Sequence, residues 1–289
     1  MSGLHLYGMT KDQETNEFMM IMDFADKGNL RSHLSNSFNN ILWEDKILLL
    51  QNITTDLKNL HRLGYFHKDF HSGNILQIKT TEYGVDSFIS DFGLSGPANE
   101  QKSDDKVYGV LPYIAPEVLN GEPYTSAADI YSVGVIMAEL SSGKPPFYNK
   151  KHNLNLALEI CNGLRPEFGK GTPDFYKKLA YKCMDANSSE RPTAEELCDL
   201  FNFWFYSNRG EKDEEKFGYK GKEIRGAFEE ANKEIPNIST SCKKDSDAVY
   251  TSRAFTFSNL LPKPVNSSII TSYINNEEEN IEGIFYFLI

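Results

Sequence analysis

The chain has 289 residues, of which 40% are hydrophobic and 25% are charged, and this composition excludes a chain that is disordered throughout. The 41 acidic residues outnumber the 30 basic ones, which gives a formal net charge of -11. Residues 206–289 hold 11 Lys and Arg against 14 Asp and Glu, which leaves 19 against 27 in residues 1–205, so neither part is basic. This charge argues against a general nucleic-acid binder, because such proteins neutralise phosphates with clustered Lys and Arg.

The cysteines are widely spaced and form no C-x-x-C pair, which argues against a zinc site and against a disulfide framework. They are Cys161, Cys183, Cys198 and Cys242. The first residues show no charged segment followed by an apolar one, and no apolar run approaches the roughly 20 residues that span a bilayer. We therefore expect a cytoplasmic protein with reduced thiols and no membrane span.

Strands are predicted near the start of the chain. Residues 17–24 form a short apolar run without helical spacing, which is typical of a buried strand, and residues 4–7 are a weaker candidate. A polar turn separates the two segments, and a short helix is predicted to begin within residues 30–34. Residues 88–89 predict another short strand.

Helices are predicted where apolar residues recur every three or four positions. The predicted spans are 42–63, 125–141, 153–162, 173–184 and 193–205. After residue 206 the composition becomes more polar; a further helix is predicted near 222–234, whereas 236–282 has little periodicity and is expected to be extended or disordered. A few strands followed by a helix-rich body predict an α+β fold.

Three short motifs that carry candidate functional residues follow one another along the chain. Asp69 and Asn74 lie five residues apart on a predicted loop, where the carboxylate can accept a proton from a hydroxyl group and the amide oxygen can bind Mg²⁺. The tripeptide D-F-G at 91–93 supplies a carboxylate suited to a metal-bound phosphate, and A-P-E follows at 115–117. Each motif is weak alone, but the ordered set is specific.

With these motifs, residues 4–205 resemble the large C-terminal lobe of a eukaryotic protein kinase, most closely the tyrosine-kinase-like branch. The resemblance implies a protein-kinase-like α+β fold with a mostly α-helical large lobe. It divides the chain into a remnant of the small β lobe (1–22), the hinge and large lobe (23–205) and a low-order tail (206–289). It also implies phosphate transfer from ATP, with Mg²⁺, to hydroxyl groups of a protein substrate or signalling partner.

The resemblance assigns roles to individual residues. Asp69 takes the place of the catalytic base, and Asn74 and Asp91 take the places of the Mg²⁺ ligands, so these three are the catalytic candidates. The residues placed around the nucleotide are Met22 as gatekeeper, Asp23 and Ala25 through their backbone, Leu76 as the floor beneath the adenine, and Asn74 and Asp91 at the metal.

Four further residues are expected to be structural. By the resemblance, His67 packs behind the catalytic loop and Asp129 steadies that loop from the central helix. Glu117 and Arg191 are expected to form a buried ion pair between the activation segment and the late helices. Lys68 stands where Arg is usual, and both a phosphate-sensing role and a solvated surface position are open.

The sequence departs from the family before the hinge. No G-x-G-x-x-G occurs anywhere, no V-A-I-K-like strand is present, and Lys11 is the only Lys that precedes Asp23. In the family these features cover and neutralise the phosphates of ATP, so impaired transfer is expected. Two explanations are open: an incomplete copy of a kinase, or a pseudokinase-type scaffold that binds without catalysis.

Residues 93–115 correspond to the activation segment and are expected to be the most mobile part of the large lobe. Ser95, Ser103 and Tyr108 are candidates for phosphorylation within it.

The residues that report specificity give a mixed pattern. Pro112-Tyr113 before Ala115 resembles Ser/Thr kinases, although Val110 stands where those kinases usually have Thr. His71 stands where Ser/Thr kinases usually carry a Lys that approaches the γ-phosphate, and a neutral imidazole would stabilise charge less well. Ser/Thr specificity is therefore favoured over Tyr.

Overall fold

The computed structural model describes residues 4–80, 84–97, 106–257 and 260–275. The helices are α1 (Leu30–Ser37), α2 (Trp43–Arg62), α3 (Pro116–Leu119), α4 (Ser126–Ser142), α5 (Leu154–Cys161), α6 (Asp174–Cys183), α7 (Ala194–Asn208), α8 (Gly221–Glu234) and α9 (Ser268–Asn275). The strands are β1 (Leu6–Lys11), β2 (Phe18–Met22), β3 (Tyr65–Phe66), β4 (Ile75–Thr80), β5 (Gly84–Ile89), β6 (Gly96–Pro97), β7 (Val107–Gly109), β8 (Glu215–Lys216), β9 (Tyr219–Lys220) and β10 (Arg253–Phe255).

Within these ranges the strands form antiparallel pairs rather than one large sheet. The pairs are β1 with β2, β3 with β6, β4 with β5, β7 with β10 and β8 with β9. Helices predominate, so the fold is α+β as predicted. None of the helices in the described ranges is long and apolar enough to cross a membrane.

The bounds of α2 follow from its sequence. Ile47, Leu50, Ile53 and Leu57 form one apolar stripe and are fully buried, and this face packs against α7 and β5. Gly64 follows the helix with a φ of +77°, a left-handed conformation that favours glycine. The predicted helix at 42–63 is confirmed with a difference of one residue at each end.

Helix α4 is the central helix of the body and has almost no solvent-exposed face. Its residues from Ala128 to Ser142 are buried on all sides, which is the pattern of a core helix. Gly134 permits a close contact with α6, because a Cβ atom there would lie 2.8 Å from the Ala180 carbonyl oxygen. The helix therefore carries its two acidic side chains into the interior beside the loops of the site.

The hairpin of β1 and β2 differs from its prediction. The apolar run at 17–24 does form a strand, but Phe18 is 72% exposed, Met20 is 64% exposed and Met22 is 42% exposed, so its prediction as a buried strand is wrong. A two-stranded ribbon buries its side chains only where another layer covers it. An apolar run indicates the strand without indicating that layer.

The segment after residue 206 carries more regular structure than its composition suggests. The helix predicted near 222–234 is present as α8, and the structure adds β10 and α9 within 236–282. Phe255 and Ile270 are isolated buried residues within this segment, so no helical or strand periodicity indicates them in the sequence. The end of the chain, 276–289, lies outside the described residues.

Candidate active site

The loop that follows β3 presents Asp69 to the interior. Lys68 adopts a left-handed conformation with φ of +67°, and this sharp bend directs the next residue inward. Asp69 is only 7% exposed, and its Oδ1 atom is buried without a hydrogen-bond partner in the described part of the chain. A buried oxygen with free lone pairs is costly to maintain and is able to accept a proton from a bound hydroxyl group.

Asn74 lies beside Asp69 and is held by it. Its Nδ2 group donates a hydrogen bond of 3.0 Å to the Asp69 carbonyl oxygen, which leaves the Asn74 amide oxygen for another partner. The Asn74 carbonyl oxygen accepts hydrogen bonds from Ser90 N at 2.9 Å and Ser90 Oγ at 3.0 Å. Ser90 immediately precedes Asp91, so these bonds fasten the D-F-G segment to the catalytic loop.

Asp91 follows β5 in a left-handed conformation, with φ of +62° and ψ of +68°. Its side chain is exposed, and Oδ1 accepts a long hydrogen bond of 3.4 Å from Gly93 N. Together with the Asn74 amide it offers the hard oxygen ligands that Mg²⁺ prefers. Two such ligands fit a site in which the phosphates of a nucleotide complete the metal shell.

Asp129 anchors the catalytic loop from α4. Its carboxylate is fully buried and accepts hydrogen bonds from the backbone N–H groups of His67 (2.9 Å) and Lys68 (3.2 Å). His61 Nε2 and the Tyr124 hydroxyl contact it at 2.9 Å and 2.8 Å. Burial opposes its charged form, but the hydrogen bond from His61 and the nearby imidazoles hold the pKa of Asp129 below its ordinary value.

His67 joins the two loops from behind. It is fully buried, its Nε2 atom lies 3.1 Å from the Ser90 carbonyl oxygen, and its Nδ1 atom lies 3.4 Å from Asp69 N. Burial lowers the pKa of His67, which favours the neutral ring. These two contacts require one ring nitrogen that donates and one that accepts, which a neutral imidazole provides. The geometry therefore supports a structural role for His67.

The connection after β2 lies along β4. Lys27 N donates to the Gln77 carbonyl oxygen at 3.1 Å, Gln77 N donates to the Gly28 carbonyl oxygen at 2.8 Å, and Leu76 bridges to Asn29. Leu76, predicted as the floor, is therefore half-buried directly beside the hinge.

Two backbone groups of the hinge already form hydrogen bonds within the chain. Asp23 N donates to the His5 carbonyl oxygen at 3.1 Å, and the Ala25 carbonyl oxygen accepts from Gly28 N at 3.0 Å. Within the described chain this leaves the Asp23 carbonyl oxygen and the Ala25 N–H group for a ligand. Met22 pairs with Leu6 at the end of the hairpin and is 42% exposed.

A buried polar cluster behind the site was missed from the sequence. Glu139 of α4 accepts hydrogen bonds from Ser72 Oγ at 3.0 Å and from the Tyr113 hydroxyl at 2.7 Å. Burial raises the pKa of Glu139, although the nearby Arg31 cation opposes the change. The cluster ties the catalytic loop to the segment before A-P-E. A single acid in an otherwise apolar stretch of α4 was the available signal.

The ion pair predicted between Glu117 and Arg191 is present. Two parallel hydrogen bonds of 2.7 Å join the guanidinium group to the carboxylate, and both side chains are buried. Arg191 also donates to the carbonyl oxygens of Asp185 at 2.8 Å and Ala127 at 2.9 Å. The pair thus joins α3 to the residues before α7 across 74 positions of sequence.

The expected activation segment is described at its two ends. Ser95 Oγ donates to the His67 carbonyl oxygen at 3.2 Å, and Lys68 Nζ donates to the Pro97 carbonyl oxygen at 3.1 Å. Ser103 lies outside the described residues. Tyr108 lies in β7. Because of its contact with Pro97, Lys68 is half-buried against this segment rather than freely solvated.

Comparisons with known proteins identify the family to which the chain is similar. The family model for the protein kinase domain matches residues 4–202. A probable serine/threonine-protein kinase of Dictyostelium discoideum is 30% identical over 181 residues, which are 62% of this chain and 11% of that protein. The probable serine/threonine-protein kinase roco5 of the same organism is 33% identical over 186 residues, 60% of this chain and 7% of that protein. The dual specificity protein kinase zakA, also from Dictyostelium discoideum, is 30% identical over 195 residues, 63% of this chain and 24% of that protein.

The chain belongs to the protein kinase family, because the family model covers more than half of it. Membership confirms the protein-kinase-like fold predicted from the motifs. The chain spans less than a third of the length of each of these relatives.

Proposed function

We propose that this chain is a protein kinase that transfers the γ-phosphoryl group of ATP to a hydroxyl group of a protein, with Asp69 as the base and Asn74 and Asp91 as ligands of Mg²⁺. The observation that carries the proposal is the buried Oδ1 atom of Asp69, which has no hydrogen-bond partner among the described residues, with His71 Nε2 3.6 Å away. Asn74 contacts the same residue at 3.0 Å, and Ser90 fastens Asp91 to Asn74. A proton acceptor and two hard oxygen ligands therefore lie on loops that are bonded to each other.

Each residue has a separate task in the proposed reaction. Asp69 orients the substrate hydroxyl group and accepts its proton as the oxygen attacks phosphorus. Bound Mg²⁺ would neutralise charge on the phosphates, and Asn74 and Asp91 would hold it. Asp129 keeps the loop backbone in place through its contacts with His67 and Lys68 N–H groups.

The hinge offers adenine a matched pair of groups. The Asp23 carbonyl oxygen can accept a hydrogen bond from the exocyclic amine, and the Ala25 N–H group can donate to the neighbouring ring nitrogen. Leu76 and Met22 would provide apolar surface next to the adenine, as expected of a ligand site that is mostly apolar with a few polar contacts.

The finer assignments are also proposals. Ser/Thr specificity is supported by Pro112-Tyr113, which lie in a short 3₁₀ helix before Ala115, and by the similarity to the serine/threonine kinases above. Placement in the tyrosine-kinase-like branch rests on the resemblance of the motifs alone. The four free cysteines support a reducing, cytoplasmic location. A protein substrate or signalling partner follows from the proposed reaction.

We propose further that the 289-residue polypeptide transfers phosphate slowly. Its sequence contains no G-x-G-x-x-G, and Lys11, the only Lys before the hinge, lies over the Phe18 ring of the exposed hairpin. The phosphates of ATP would therefore lack a covering loop and a pairing cation, and a wet site weakens each electrostatic contribution.

The decisive experiment is transfer from radiolabelled ATP, with Mg²⁺ and a generic protein substrate, by the purified chain. We expect slow incorporation that Asp69→Asn lowers by about 10²-fold or more, to background, because the amide cannot accept the proton. The surface variant Asp174→Asn, which alters a side chain that is 78% exposed, should retain the wild-type rate.

Nucleotide binding separates the base from the metal ligands. Stabilisation of the chain by Mg²⁺ and ADP in a thermal unfolding assay should persist in Asp69→Asn and be lost in Asn74→Ala and Asp91→Ala. Loss of binding in all three variants, or in none, would contradict these assignments.

A pseudokinase-type scaffold is the second candidate. Binding alone needs fewer phosphate contacts than transfer does. Nucleotide-dependent stabilisation together with equal, background incorporation by the wild-type chain and Asp69→Asn would support the scaffold.

A further inference from the structure

A strand from the last part of the chain lies on the activation segment. Strand β10 pairs antiparallel with β7, with Arg253 opposite Gly109, Ala254 opposite Tyr108 and Phe255 opposite Val107. The two strands are about 145 residues apart in sequence, so local propensity does not account for the pairing.

Strand β7 lies directly beside the proposed base. A Cβ atom on Gly109 would lie 3.4 Å from Asp69 Oδ1 and 3.2 Å from Ile114 Cγ1. A side chain at this position would therefore meet the Asp69 carboxylate, and Gly109 also adopts a φ of +141° that favours glycine. A chain that pairs with β7 is therefore held next to the reacting group.

Residues 245–257, which we call the tail segment, are held in place by contacts of Tyr250 with two other parts of the chain. The Tyr250 hydroxyl donates to the Pro146 carbonyl oxygen at 2.9 Å, and Arg31 Nη1 donates to the Tyr250 carbonyl oxygen at 3.0 Å. The Arg31 guanidinium group lies 4.8 Å from the centre of the Tyr250 ring. Phe255 is only 6% exposed.

The loop before α5 provides further contacts. His152 Nδ1 lies 2.8 Å from the Val249 carbonyl oxygen, and Arg253 donates to the His152 carbonyl oxygen. Asp245 N donates to the Tyr148 carbonyl oxygen at 2.9 Å. Main-chain bonds of this kind recognise an extended backbone, while single side-chain pockets provide selectivity.

We propose that the tail segment is a docked strand that occupies, within the same chain, an edge of β7 on which an extended peptide substrate would otherwise pair. This inference rests on the proposed kinase function, since it concerns access to Asp69. The tail segment and the substrate compete for one edge, because each edge of a strand carries a single row of hydrogen-bonding groups. Release of the tail segment therefore opens the site to a peptide.

The first test releases β10 from the edge of β7 in the full chain. Phe255→Asp places a charge where a ring is buried, whereas Ala254→Asp adds the same charge one residue away on an exposed position of the same strand. We expect hydrogen–deuterium exchange at 107–109 and 253–255 to accelerate by about tenfold or more in Phe255→Asp and to stay near wild type in Ala254→Asp. Unchanged exchange at 107–109 in Phe255→Asp would overturn the proposal.

The second test adds a fluorescent peptide with the sequence of 245–257. We expect it to bind Phe255→Asp at least about tenfold more tightly than the wild-type chain, whose edge is occupied. Equal binding to both proteins would overturn competition. Neither readout depends on phosphoryl transfer, so failure of the kinase proposal and failure of this proposal are distinguishable.

A disulfide variant that holds β10 on β7 tests the proposal even if Phe255→Asp does not fold. Tyr108→Cys with Ala254→Cys places two thiols on directly opposed residues, within the distance range that a disulfide requires. Oxidation should lower peptide-substrate phosphorylation and peptide binding, and reduction should restore both. Peptide binding that is unaffected by oxidation, with the disulfide verified by mass spectrometry, would overturn the proposal.

Discussion

Replacing Arg191 by Met should lower the free energy of unfolding by about 3–5 kcal/mol, because the Glu117 carboxylate would stay buried without a partner. The two side chains share two hydrogen bonds of 2.7 Å, and the Arg191 side chain is fully buried. Two carbonyl oxygens, those of Asp185 and Ala127, would also lose their donor. A loss of this size removes a large part of the stability of an ordinary domain.

Chemical denaturation of the purified variants measures this effect. Arg191→Met combined with Glu117→Leu should recover part of the loss, since replacing both partners with apolar groups leaves no isolated charge. Lys177→Met is the matched surface control, because it breaks a 3.0 Å pair with Asp174, whose side chain is 78% exposed, and should cost less than about 1 kcal/mol. A cost for Arg191→Met no larger than that of the control would contradict the prediction.

The ion pair also shows which part of the site the sequence was able to indicate. Ordered motifs define spacing and residue type, and they make Asp69, Asn74 and Asp91 the catalytic candidates; the family resemblance predicts the Glu117–Arg191 contact, which the structure contains. Helix spans such as α2 followed from one apolar stripe and a terminal glycine. These signals are local or repeated, which is why they survive in a single sequence.

Other features depend on contacts that no local pattern encodes. The exposure of Met20 depends on whether a second layer covers the hairpin. The pairing of β10 with β7 depends on individual side chains, such as those of Tyr250 and Phe255, that pack against the body. The link from Ser72 through Glu139 to Tyr113 joins three separate elements. Long-range contacts of this type are invisible to periodicity.

Lys46 provides the other large expected effect, and it concerns pH. Its side chain is fully buried near the start of α2, and its Nζ atom has no hydrogen-bond partner in the described part of the chain. The ammonium group lies 4.4 Å from the centre of the Phe38 ring and 4.9 Å from that of Trp43. Burial lowers the pKa of Lys46 to about 7, although the nearby Asp45 opposes the change.

The direction of the pH effect follows from proton binding. Between about pH 7 and the unfolded value of 10.5, the unfolded chain holds a proton on Lys46 that the folded chain has released. The unfolded state binds more protons, so the contribution of this group to stability rises with pH across that window. Below pH 7 the folded protein carries the full penalty of a buried charge.

Lys46→Met should therefore raise the free energy of unfolding by roughly 2–4 kcal/mol at pH 7, with the gain shrinking toward zero near pH 10.5. Methionine keeps most of the apolar stem beside the two rings and removes the group that titrates. Denaturation of the wild-type chain and the variant at pH 7, 8, 9 and 10 measures the difference. Lys222→Met, at an exposed position of α8, should change stability by less than about 0.5 kcal/mol at every pH. If the gain from Lys46→Met were constant from pH 7 to pH 10, the burial of a titrating ammonium group would not be its cause.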